Sequence, residues 1–175
     1  MRPSSLVLLA LAGLLAAGCA PRATAGLSVD GDRRTYVTTP VRLGTASSGA
    51  FLGATQDYSI RAAASCAGAG CVPDRVVVTL ADDDNAVAQA DFEAVQVETD
   101  TETYEWFANV GLGDIAIVPN GRGDLLNSAV PFAMFADVAR SGSVTVRLGS
   151  QEFQLPEDRR RAFRDLVAAF GPATP

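Results

Sequence analysis

The chain has 175 residues, 48% of them hydrophobic, and a formal net charge of −6. That is enough chain and enough apolar surface for a domain with its own core, and too apolar for a disordered tail. Every basic residue is Arg, and the sequence has neither His nor Lys. Ser-His-Asp, Cys-His and Ser-Lys chemistry are therefore excluded, and an acidic chain lacks the basic footprint of a general nucleic-acid binder.

The chain begins Met1-Arg2-Pro3-Ser4-Ser5 and continues with an uncharged run from Leu6 to Leu15. Small residues, Ala16-Ala17-Gly18, then lead to Cys19. A basic start, a short apolar core and a small-residue exit make an export signal. The run is shorter than the roughly 20 residues that a membrane-spanning helix needs.

Leu15-Ala16-Ala17-Gly18-Cys19 resembles the lipobox of bacterial lipoproteins, with Ala16 where Leu is commonest. The resemblance implies cleavage before Cys19 and acylation of its thiol. A further acyl chain on the new amino terminus would complete an anchor, since stable anchoring takes more than one chain. Ala20, being other than Asp, implies the outer membrane, with the domain facing the periplasm. Residues 1–18 then form the signal, 19–26 the lipidated end and its tether, and 27–171 one β-rich domain.

Thr35–Thr38 and Val41–Leu43 read as short strands split by Pro40. Thr45–Gly53 is rich in Gly, Ser and Ala and reads as a loop. Tyr58–Ala62 is the next strand and runs toward Cys66. Cys66 and Cys71 bracket Ala67-Gly68-Ala69-Gly70. In an oxidising compartment two such neighbours form a disulfide. Two thiols with no His are too few for a closed zinc site, and a redox motif has two intervening residues rather than four.

Val76–Leu80 is a strong strand candidate, ended by the acidic turn Asp82–Asn85, which lacks the ligand spacing of a calcium loop. Phe92–Val97 alternates imperfectly and suggests a bulged strand. The acidic residues Glu98, Asp100, Glu102 and Glu105 follow, and Tyr104, Trp106, Ala108 and Val110 alternate on one face. Gly111–Asp114 turns the chain into a strand at Ile115–Val118, which Pro119-Asn120-Gly121 stops. Gly111-Leu112-Gly113 lacks the third Gly and the context of a nucleotide fingerprint, and Gly121–Asp124 is an ordinary Gly/Asp loop.

Phe132, Phe135, Ala136 and Ala139 have helical spacing, with Gly142 beyond the helix end. Val144, Val146 and Leu148 alternate, Gly149-Ser150 turns, and Phe153 and Leu155 alternate on the return strand. Pro156 is expected to open a final helix with Glu157 and Asp158 in its first turn. Its apolar stripe is Phe163, Leu166, Val167 and Phe170.

From about Tyr104 to Phe170 the chain is similar to a pattern found in uncharacterised exported bacterial proteins. Trp106-Phe107, Ala139-Arg140, Val144–Gly149, Phe153–Leu155, Phe163 and Leu166 carry the likeness. It implies an antiparallel β-rich domain with a packed helix, and it brings no catalytic residue.

The expected fold class is α+β, an antiparallel sheet or sandwich with a short helix, a hairpin and a C-terminal amphipathic helix. Arg160, Arg161 and Arg164 lie off the stripe of that helix and form the candidate binding patch, facing anionic head groups or an envelope protein partner. The competing reading is a solvated face, with Glu157 and Asp165 neutralising Arg161. No catalytic residue, metal ligand or cofactor site is expected. The function expected is a non-catalytic binding or assembly module held at the membrane. The alternatives are a small-ligand or glycan module with a pocket lined by Tyr104 and Trp106, and a carboxylate-based cell-wall hydrolase.

Overall fold

The computed structural model describes residues 25–47, 55–82, 94–107 and 125–170. Strand formation follows β-branched alternation, and the longest strand organises the rest. The first strands are β1 (Gly26–Asp30), β2 (Arg33–Val37), β3 (Val41–Ser47), β4 (Thr55–Ala67) and β5 (Arg75–Asp82). They are followed by β6 (Ala94–Thr99), β7 (Thr103–Phe107) and β8 (Leu125–Pro131). Helix α1 (Phe132–Arg140), strands β9 (Val144–Leu148) and β10 (Gln151–Gln154) and helix α2 (Arg161–Phe170) close the order.

Two antiparallel sheets result, so the α+β class with a mainly antiparallel β architecture holds. The larger runs β1-β2-β4-β5-β8, and β3 pairs with the same β4. The 13 residues of β4 are long enough to take two partners end to end. Residues 33–37 of β2 pair with 63–67, and β3 pairs with 55–60. Between them Thr38 keeps the ladder closed, its N–H donating to Ala62 O and its hydroxyl accepting from Ala62 N–H, both at 2.9 Å. Pro40, which cannot donate, sits in that break.

The smaller sheet runs β10-β9-β6-β7. One face buries Val95, Val97, Trp106, Val144, Val146, Leu148 and Phe153. The other carries Arg147, ion-paired to Glu98 at 2.6 Å and Glu152 at 3.1 Å. The sheets lie face to face, with β10 against β3 and β7 beside β8. Helix α2 packs on β2 and β4, and α1 packs on β5, β8 and α2. The core face of the large sheet is thus covered by the small sheet at one end and by two helices at the other. Phe135 joins the parts, with ring centroids 6.5 Å from Trp106 and 5.1 Å from Phe163. On the far face of the large sheet, Val37, Ala63 and Val77 form a buried cross-strand row.

Several sequence expectations need correction. Thr45–Ser47 belong to β3 rather than to a loop, because they pair with Thr55–Asp57. A bulge between Arg42 and Gly44 lets the strand continue, and Gly44 gives Phe153 room. From Ala94 to Glu98 the register of β6 with β7 is regular, and the rest of the stretch in which a bulge is expected, Phe92 and Glu93, lies outside the described residues. Helix α2 starts at Arg161, so Glu157 and Asp158 precede it. Residues 156–160 are instead held by turn bonds, Arg160 N–H to Pro156 O at 3.2 Å and Arg161 N–H to Asp158 O at 3.4 Å. The strand expected at Ile115–Val118 and the turns at Gly111–Asp114 and Gly121–Asp124 lie outside the described residues.

Candidate functional surface

The Cys66–Cys71 bond is present, with the α-carbons 5.9 Å apart. It closes the link from β4 to β5, where Gly68 and Gly70 take φ of 95° and 69°. Those values suit Gly and strain any other residue. Cys19 lies outside the described residues.

The arginine patch comes apart. Arg160 is 0% exposed, which overturns its expected place on the surface. It stands three residues before Phe163 and seven before Val167, and its carbonyl accepts the N–H of Arg164 at 3.1 Å, so the turn of the chain that buries the apolar stripe buries Arg160 beside it. The guanidinium enters the space beyond the C-terminus of α1. Nε donates to Leu155 O at 3.0 Å, and Nη1 donates to the carbonyls of Val138 and Ser141. Nη2 donates to Gly142 O at 2.9 Å. Carbonyls at a helix C-terminus lack intrahelical partners and carry partial negative charge, so a cation there satisfies both deficits. Burial, and then the neighbouring Arg164, pull Arg160 below the ordinary arginine value, against the pull of Glu157 and Asp100.

Arg159, Arg164 and Arg34 also donate to backbone carbonyls. Arg159 donates to Arg42 O at 3.1 Å and to Leu43 O at 2.9 Å, pinning the bulge of β3. Arg164 donates to Glu157 O at 3.0 Å and faces that residue's carboxylate at 3.6 Å. Glu157 therefore neutralises Arg164 rather than Arg161. Arg34 holds the end of α2, donating to Ala169 O at 2.8 Å with its guanidinium 5.6 Å from the Phe170 ring centre. Of the three candidate residues only Arg161 is exposed and unpaired among the described residues.

Tyr104 and Trp106 do not line a recognition surface together. Trp106 is 2% exposed and lies in the core cluster, its Nε1 unpaired among the described residues. Tyr104 is half-buried and donates its hydroxyl to Asp137 Oδ2 at 2.7 Å. That bond, followed by burial, raises the phenol above its ordinary value. The adjacent hairpin is fixed by Thr99, whose Oγ1 accepts from Glu102 N–H at 2.9 Å.

The surface that sequence reasoning missed is the edge of the large sheet at β1. Leu27 is 47% exposed and Val29 64%. Their alternation with Ser28 and Asp30, followed by Gly31 at φ 61°, is a strand-and-turn signal present in the sequence. Among the described residues no group of His, Cys, Asp and Glu could hold a metal ion, and no helix is long and apolar enough to cross a membrane.

No family model, curated protein or solved structure matches the chain.

Proposed function

We propose that this chain is a lipid-anchored lipoprotein of the bacterial envelope, acting as a non-catalytic binding or assembly module. The observation that carries the reading is the Leu15–Cys19 run at the end of an uncharged export core, seven residues before the first strand. The Cys66–Cys71 disulfide supports export to an oxidising compartment. Arginines committed to backbone carbonyls support a structural rather than a ligand-reading role for the basic residues. The membrane is the first partner, and the outer membrane facing the periplasm is the proposed site.

Metabolic labelling with a fatty-acid analogue tests the reading. Wild-type protein should carry label and fractionate with membranes. Cys19→Ser should lose the label and remain an uncut precursor. Equal labelling of the two would refute the anchor.

A further inference from the structure

Among the described residues three large aliphatic side chains stand well out of the body: Leu27, Val29 and Val72. Two of them share one face of β1. That strand is the outermost on its side of the large sheet, paired only with β2 among the described residues. Leu27 lies opposite Tyr36 and Val29 opposite Arg34. The two side chains thus extend the face that α2 covers farther in. Edge strands usually carry a Lys, a Pro or a bulge that discourages contact. Gly26–Asp30 has only Asp30, at its last position.

We infer that Leu27 and Val29 rest on the bilayer that holds the anchor, at the boundary between head groups and acyl chains. The inference rests on the acylation of Cys19 proposed above and extends it to the folded domain. Gly26 is seven residues from Cys19. A chain of that length spans about 25 Å at most. Because the chain enters the body through β1, this edge is the part of the fold held closest to the lipid. The hairpin of β1 and β2 balances Asp30 and Asp32 against Arg33 and Arg34, so it adds no negative charge facing anionic head groups.

The size of the patch favours lipid over a second copy of the chain. Pairing two five-residue strands covers far less than the roughly 1,000 Å² of a stable protein interface. A tethered domain has no such threshold to meet. Its acyl chains already hold it at the surface, and a short tether keeps the local concentration high enough for a weak contact to persist.

With Cys66 and Cys71 linked and Cys19 acylated, a new cysteine supplies the single free thiol. The exported, acylated full chain is prepared as Leu27→Cys, Val29→Cys and Glu105→Cys. Each variant is labelled with a nitroxide and reconstituted in vesicles of phosphatidylethanolamine and phosphatidylglycerol. Glu105 is an exposed position on β7, across the molecule from β1. Power-saturation EPR compares collisions with oxygen, which concentrates in lipid, and with a nickel chelate, which stays in water. The oxygen-to-nickel ratio at 27 and 29 should exceed that at 105 several-fold.

Equal, water-like ratios at all three positions in protein that is acylated and floats with the vesicles would overturn the docking alone. Protein that is neither acylated nor vesicle-bound would overturn the anchor and the docking with it. Dipolar broadening at position 27 that disappears on dilution with unlabelled protein would give this edge to a second copy and overturn the lipid contact.

Discussion

Arg160 shows how one side chain can reverse a reading made from local pattern. Three arginines close to an amphipathic stripe read as a charged face, and the stripe itself is buried as expected: Phe163, Leu166, Val167 and Phe170. The error lay in the angle: Arg160 is three residues before Phe163 and seven before Val167, which at about 100° per residue puts it on the buried flank of the stripe. There its side chain runs under the C-terminus of α1. Its cost in desolvation is offset by the carbonyls of Leu155, Val138, Ser141 and Gly142. Arg160→Met keeps much of the stem but leaves those acceptors without their donor. Unsatisfied buried acceptors and lost charge-assisted bonds should together cost about 3 kcal/mol. Arg161→Gln, at a position exposed and unpaired among the described residues, should stay within about 0.5 kcal/mol. Urea unfolding of the purified chain separates the two cases. Equal midpoints for both variants would show that the Arg160 bonds contribute nothing net.

At the scale of elements, those set by neighbours in sequence were legible and those set by distant partners were not. The β9–β10 hairpin follows from alternation around Gly149, which takes φ 56°, and α1 follows from helical spacing ended before Gly142. Strand β8 was missed because Asn127 and Ser128 interrupt its apolar residues, and pairing with β5 is what makes it a strand. Residues 45–47 read as loop because Ala46, Ser47 and the Gly, Ser and Ala that follow outweigh the one β-branched residue, Thr45, while β4 supplies the ladder that holds them. Gly44 tests this account. A Cβ there would lie 3.2 Å from Phe153 Cδ1, closer than the ring can accept without moving. Gly44→Val should therefore destabilise by about 1–3 kcal/mol through overpacking between β3 and β10. Adding Phe153→Leu should recover part of that loss, giving a non-additive double-mutant cycle measured by thermal unfolding. Strict additivity would mean that the two positions do not share the space.

For the whole molecule, the proposed anchor signal was legible because such a signal is one contiguous stretch, whereas the exposed β1 edge emerges only once the fold decides which apolar residues stay outside. Coverage of one sheet by two different layers then raises the question of cooperativity. The small sheet and the helix pair touch different ends of the large sheet, yet their buried residues form one cluster. Trp106, the single tryptophan, lies in β7 against Phe135 of α1, and Phe135 in turn packs on Phe163 of α2. Its emission therefore reports on the seam between the two coverings, while far-UV circular dichroism reports on all strands and helices. A chain with one core should unfold in one step, so the two signals should share a midpoint and a slope in urea. Phe135→Ala removes the ring that bridges the layers and should shift both curves together by about 3–5 kcal/mol. If that variant separated the curves, with emission lost before the dichroism, the seam would be the weak joint between two independently stable halves. If the wild-type curves already separated, one cooperative core would be the wrong description of this fold.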